Sequence, residues 1–380
     1  MRKSLRVLLL LALVLVVGAA MGAAQEKVVR IGVLAATTGP NASYGRSINS
    51  GSYLAAEEIN AAGGVAGFKF DIFSEDSQHE PAAATTATQK LIFTRKADVI
   101  LGDAASTNVF AIDPIVRREG VINIALGSAT KLTQTDDPNP WRVRVREYDS
   151  LTANVMVNYM VDVLGLEKIA IIHMTEQFGV GGKDDTVAAL AKKGIKPVAI
   201  EAHNPNDRDL TGQLLNIRRA GAQAIVSFSG VTEMALLCRQ ARQLVPEAKL
   251  FLSSVGATKG FLDIARTHAD GAFSVATYVE SNPDDKVQRF VKAHEEKYGE
   301  RPYDFFVALA YDAVYLLAEA VKIAGTNDRE AIRQAFNQIQ DYKGATGLTY
   351  TFTPDGQALH EMFMVEIESA APVIVEKIRG

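Results

Sequence analysis

The chain holds one cysteine in 380 residues. An intramolecular disulfide is therefore excluded. Cys238 lies in the amphipathic run Met234–Ala241, which reads as a helix with a buried structural thiol. Six histidines are scattered without H-E-x-x-H or any other ligand spacing, so neither a metal nor another cofactor is expected. Basic residues do not outnumber acidic ones: 40 Lys and Arg stand against 44 Asp and Glu, for a net charge of −4. Without a basic cluster, nucleic acid and anionic membrane are excluded as partners. The signatures of nucleotide and acyl chemistry are missing too. The first strand–helix loop lacks G-x-G-x-x-G, and neither G-x-x-x-x-G-K-[ST] nor G-x-S-x-G occurs. Gly179-Val180-Gly181-Gly182 is glycine-rich, but no acidic residue follows it in a ribose-binding role. The chain does not read as an enzyme.

A long apolar run occurs only at the start. Arg2, Lys3 and Arg6 precede Val7–Val17, and small residues follow up to Gly22-Ala23-Ala24. This is the order of a secretory signal cleaved near Ala24. Its core is short against the ~20 residues of a spanning helix, and no cysteine stands near for a lipid anchor. Removing Met1–Ala24 brings the net charge to −7. The mature chain is expected in the periplasm, and its length suggests two domains.

Strand-like and helix-like segments then alternate. Val28–Leu34 is a β-branched apolar strand ending at Thr37-Thr38-Gly39-Pro40, and Tyr44–Ala61 has helical spacing. Gly63-Gly64 and Gly67 lead into a strand at Phe68–Phe73. Helices are expected at Pro81–Arg95, Ser106–Arg118 and Leu151–Leu164, and strands at Asp98–Leu101, Val121–Leu126 and Trp141–Arg146. A second series follows: strands at Lys168–His173, Lys196–Glu201, Ala224–Phe228, Lys249–Ser253 and Gly271–Tyr278, and helices at Gly182–Lys193, Leu210–Ala220 and Thr232–Leu244. Such alternation implies doubly wound parallel sheets, an α/β fold. The last section reads as helices Asp284–Tyr298, Phe305–Ala324 and Arg329–Gln338, with strands Thr349–Phe352 and His360–Ile367. Ligands of such sheets bind at the carboxyl ends of strands.

The motifs T-G-P…Y-G and E-E-I-N-A-A-G-G-V-A-G (Glu57–Gly67) resemble the opening of the type I periplasmic binding proteins, of which the leucine/isoleucine/valine-binding proteins are best known. The resemblance runs from about Val28 to the end of the chain. It implies two lobes joined by a three-strand hinge, with lobe 1 over 26–146 plus 279–352 and lobe 2 over 147–278 plus 353–380. It also implies delivery of a small solute to the permease of an ABC importer with a cytoplasmic ATPase. The alternative is a periplasmic sensor of amides or organic acids that signals to a partner protein.

Five loops carry the candidate ligand-binding residues. Tyr44 matches the family's aromatic over the apolar part of the ligand; otherwise it packs its own loop. Gly102 and Ser106 match a Gly and a Ser four positions apart. That Ser contacts the ligand carboxylate in amino-acid binders, although a Ser at a helix start can also be a plain cap. Leu126–Thr133 resembles S-P-x-A-T-x, with Leu126 in place of proline. Its Ser128, Ala129 and Thr130 either meet the same carboxylate or form a solvated turn. His173–Gly179 resembles D-x-x-Y-G with Phe178 in the aromatic place, and His173 reads as structural. Val231 and Ser254 stand where the family has an aromatic and, near Ser254–Val255, a Glu that holds the ligand ammonium. Both are missing, which points to a ligand without an α-ammonium, such as a hydrophobic or aromatic acid, a keto acid or an amide. Glu176, Glu233 and Asp103 are the alternative anions for an amino acid. Arg142, Arg144 and Arg146 alternate along one strand. Arg144 reads as structural, and Arg146 either reaches the cleft as a carboxylate partner or pairs with Glu147 or Asp149.

Overall fold

The computed structural model describes residues 27–39 and 41–378. The signal segment Met1–Ala24 lies outside the described residues. The first series comprises β1 (Lys27–Ala35), α1 (Ala42–Ala61), β2 (Phe68–Asp76), α2 (Pro81–Gln89), β3 (Val99–Gly102), α3 (Ser106–Glu119), β4 (Ile122–Ala125) and β5 (Arg142–Arg144). The strands pair in parallel in the order β2-β1-β3-β4-β5. Helices cover both faces, so the central strands carry nearly continuous apolar runs instead of alternating ones. Leu91 and Ile92 pack into this lobe from a π-helical turn, Lys90–Thr94, that extends α2.

The second series comprises α4 (Asp149–Asn158), β6 (Ile169–Met174), α5 (Gln177–Lys192), β7 (Ala199–His203), α6 (Thr211–Arg219), β8 (Ala224–Phe228), α7 (Val231–Leu244), β9 (Lys249–Leu252), α8 (Lys259–Ala265) and β10 (Phe273–Ala276). The chain ends with α9 (Asp285–Tyr298), α10 (Phe305–Ala324), α11 (Arg329–Phe336), the short strands β11 (Tyr342–Lys343), β12 (Thr349–Phe352) and β13 (Ala358–Leu359), and the hairpin β14 (Met362–Glu368) and β15 (Ala371–Ile378). The second sheet runs β15-β14-β10-β9-β8-β6-β7. Its core is parallel, and the hairpin joins antiparallel to β10. The apolar helix α10 returns to lie along α1 of the first lobe. Cys238 is buried in α7, and burial pushes its thiol up to about 12.

Three expectations are corrected. The strand expected at Trp141–Arg146 pairs only over Arg142–Arg144, so Arg146 stands beyond the sheet. The helix expected from Gly182 starts at Gln177. Its internal Gly182 is a packing position, because a Cβ there would lie 2.1 Å from the Phe228 ring. The segments α8 and β15 were not expected. The outer strand β15 is largely exposed and contains Pro372, which weakens the apolar alternation of a half-buried strand.

The strand order reverses direction between β1 and β3 in one sheet and between β6 and β8 in the other. Such switch points open a crevice at the strand carboxyl ends. The two crevices face one another, and their loops build the site.

Candidate functional site

A cavity of about 330 Å³ lies between the two lobes. Tyr44, Ser106, Ser128, Arg146 and Phe178 line it, together with Phe306, Met174, Glu176 and Glu233. Ala129, Thr130, Val231 and Ser254 do not. They belong to the frame immediately behind.

The first wall is built on β3. Gly102 has φ +121°, and a Cβ there would meet the Leu34 carbonyl oxygen at 2.0 Å, so only glycine fits. The loop it opens is tied by Asp103, whose carboxylate accepts from Ala105 N at 2.9 Å and from Asn108 Nδ2 at 3.0 Å. Asp103 is thereby committed to its own loop and drops out as an anion for a ligand. Ala105 occupies the cap position of α3 and has no side chain able to cap. Ser106 is the first helical residue instead. The N-terminal N–H groups of α3 thus reach the cavity without a side-chain cap, at the positive end of the helix dipole. The Ser106 hydroxyl is buried and accepts from Ala129 N at 3.0 Å, which leaves its own hydrogen to donate.

Behind Ser128, Arg144 holds the turn. It is fully buried, and it donates to the carbonyls of Ser128 (3.3 Å) and Ala129 (2.7 Å), to Thr133 Oγ1 and to Gln357 Oε1. Burial lowers its guanidinium to about 9. Thr130 is aimed away from the cavity. Its hydroxyl donates to Asp185 Oδ2 of α5 at 2.6 Å and accepts from Ser150 N at 2.8 Å. Arg146 reaches the cavity and pairs with Glu147 at 3.0 Å. It also donates to the Leu126 carbonyl (3.0 Å) and to Ser254 Oγ (2.8 Å). Its guanidinium carbon lies 5.1 Å from the Phe305 and Phe306 rings. Those contacts use three of five N–H donors.

The opposite wall comes from the second lobe. Phe178 stands edge-on to Phe228 at 5.6 Å. Val231 opens α7 and points into the core, while Gly230 and Thr232 face the cavity. Glu233 follows, only 5% exposed. Asn206 N donates to its Oε1 at 2.6 Å, and Thr232 Oγ1 to its Oε2 at 2.9 Å. Glu176 lines the same wall. Burial raises its carboxyl above the usual range, and the charges of Glu80 and Glu233 add to that while His79 opposes it. His173 is buried, with Nδ1 2.9 Å from the Met174 carbonyl. From the third section comes Phe306, at 4.9 Å from the Tyr44 ring. It is positioned by Asp304, whose carboxylate caps α10 through Phe306 N at 2.8 Å.

The lobes touch around the cavity. Thr130–Asp185 and Arg146–Ser254 bridge them, and Gly260 of α8 sits so close to Ser43 of α1 that a Cβ would lie 2.6 Å from its hydroxyl. Sequence reasoning missed Phe306, Met174, His79 and Glu80 as wall residues. The Asp304 cap in front of Phe305-Phe306 was a legible helix start. Nothing in the sequence pattern carries that start across to Tyr44.

The site thus offers hydroxyls and free helix N–H groups on one wall, an aromatic and thioether surface, and the buried Glu233 and half-buried Glu176 carboxylates on the other wall. It can hold a small molecule of opposed charges. Among the described residues no group of three or more His, Cys, Asp or Glu side chains is placed to hold a metal ion. No helix among them is long and apolar enough to cross a membrane.

The family model described as periplasmic binding protein matches residues 28–372. An amino acid binding protein of Pseudomonas aeruginosa is 31% identical and aligns over 83% of this chain and 84% of its own. The fold matches the branched-chain amino acid transporter substrate-binding protein LivJ of Streptococcus pneumoniae, solved with isoleucine, with a TM-score of 0.84 and 24% identity over 93% of this chain and 100% of that one. It also matches a solute-binding protein of R. palustris solved with benzoate, with a TM-score of 0.82 and 21% identity over 93% of this chain and 96% of that one.

Proposed function

This chain belongs to the periplasmic binding protein family, and from that premise we propose that it captures a free α-amino acid between its lobes and delivers it to the permease of an ABC importer. Members of this family are solute-binding proteins rather than enzymes. The reading is carried by one observation: the cavity opposes Ser106 and the uncapped start of α3 on one wall to the buried carboxylate of Glu233 on the other.

The α-carboxylate takes the Ser106 hydroxyl, the first N–H groups of α3 and the remaining donors of Arg146. The α-ammonium takes Glu233, in place of the carboxylate missing near Ser254–Val255. An unpaired ammonium in a closed cleft is costly, so Glu233 turns the ammonium-free ligand expected from the sequence into the weaker reading. Tyr44, Phe306 and Phe178 cover the apolar part. The solute binds first to the wall of the first lobe. The second lobe then closes by bending at the segments that follow Arg146, Tyr278 and Phe352. The solute favours closure only by its better contacts in the closed form. Micromolar affinity corresponds to about 8 kcal/mol, which a few charge-assisted hydrogen bonds with apolar cover can supply. The closed form then docks on the permease, while a cytoplasmic ATPase drives transfer. The leading segment Met1–Ala24 is removed on export.

Ser106→Ala tests the carboxylate wall. A hydrogen bond to a charged group contributes about 1.5–3 kcal/mol, so the amino acid should bind roughly 10- to 150-fold more weakly by calorimetry, with the protein still folded but its unfolding midpoint lowered, because Ala129 N loses its acceptor. Unaltered affinity moves the carboxylate site elsewhere.

A further inference from the structure

The carboxylates that line the cavity, Glu80, Glu176 and Glu233, outnumber the single ammonium of an ordinary amino acid. This step rests on the reading above, in which Ser106 takes the α-carboxylate and Glu233 the α-ammonium. Arg146 is already matched by Glu147. Two further carboxylates line the same cavity, the exposed Glu80 just before α2 on the first lobe and the half-buried Glu176 just before α5 on the second. The charged groups that bear on Glu176 are His79, Glu80 and Glu233, and no lysine or arginine is among them. Nδ1 of His79, another wall residue, is buried without a hydrogen-bond partner. In the tautomer protonated at Nε2 it can accept an N–H. Met174 and Phe178 supply an apolar surface on the same wall.

We propose that the solute is an α-amino acid whose side chain ends in a second cationic group, held between Glu176 and Glu80 with its stem over Phe178 and Met174. Among the described residues no three His, Cys, Asp or Glu side chains are placed to share a metal ion. An organic cation with several N–H donors suits three spaced acceptors. Such a ligand brings positive charge to a wall where burial and like charges raise the Glu176 carboxyl. The sign of the pH effect follows. Only the ionised carboxylate attracts the cation, so affinity for a basic amino acid rises with pH through the raised range of Glu176.

The experiment compares L-lysine with L-norleucine, which has a similar side-chain length and lacks the terminal amine, on ligand-stripped protein by calorimetry between pH 5 and 8. The wild type should prefer lysine by about tenfold or more, the scale of a hydrogen bond to a charged group, and the preference should grow with pH. Glu176→Gln should reduce the lysine-to-norleucine ratio of affinities and flatten its pH dependence. If norleucine binds as tightly as lysine in the wild type, this inference is overturned and the amino-acid reading stands. If neither binds, both are overturned.

Discussion

Arg144→Ala is expected to lower the stability of the protein by about 3–5 kcal/mol, the combined scale of several hydrogen bonds lost from a charged donor and of a large buried side chain cut back to a methyl group. The side chain is fully enclosed and serves four acceptors: the carbonyls of Ser128 and Ala129, Thr133 Oγ1 and Gln357 Oε1. Deletion removes four hydrogen bonds at once and leaves a space that a methyl group does not fill. The Ser128 and Ala129 carbonyls and Gln357 Oε1 each keep one other donor, from Asp149 N, Leu132 N and Thr133 Oγ1, while Thr133 Oγ1 keeps none. Each hydrogen bond lost from a charged donor costs on the order of 1.5–3 kcal/mol before relaxation. The damage also falls on function. Arg144 ties the Ser128–Ala129 turn to the strand that leaves the first lobe, and its backbone N donates to the Gly356 carbonyl at 2.8 Å. The 353–357 segment thereby loses a side-chain tether to the 142–146 segment. A denaturant titration should show a lower midpoint, and ligand affinity should fall although Arg144 touches no ligand. A midpoint within experimental error of the wild type would mean that water or a shifted side chain replaces the guanidinium.

Glu233→Gln is expected to have the largest effect on binding. Glu233 is nearly enclosed, and its oxygens are aligned by Asn206 N and Thr232 Oγ1. Glutamine keeps one acceptor oxygen and nearly the same shape but removes the charge. Truncating one side of a desolvated ion pair costs about 2–5 kcal/mol, which is roughly 30-fold to several-thousand-fold in affinity. The keto acid analogue lacks the ammonium and should bind the variant at least as well as the wild type. This crossing of affinities separates loss of an ion pair from loss of folding. Equal weakening of both ligands would place the ammonium elsewhere. A wild type that prefers the keto acid would return the account to an ammonium-free solute, the chemistry of the benzoate held by the R. palustris neighbour.

The β1–α1–β2 unit was legible because its signals agree: a buried run, a helical period and glycines at the turn. Misreadings arose where a residue type serves two purposes. Gly182 reads as the start of a helix, yet it sits inside α5, where the Phe228 ring leaves no room for a side chain. Arg146 reads as the end of an alternating strand, yet pairing stops at Arg144 and the residue swings to the crossover. The candidate site divides in the same way. Ser106 and Ser128 could be singled out from loops at strand carboxyl ends, whereas choosing Glu233 over Asp103 needed the hydrogen bonds that commit Asp103 to its own loop. Phe306 lies far along the chain from Tyr44, and only the return of α10 onto α1 brings the rings together. Pairings of that kind depend on tertiary geometry and leave no local pattern.

Closure around the solute is the central claim, and small-angle X-ray scattering tests it most directly. The ligand-stripped protein and the protein saturated with an amino acid found by thermal-shift screening should differ, the loaded form having the smaller radius of gyration and maximum dimension. Scattering curves that superimpose, with calorimetry showing full occupancy, would contradict a hinged trap.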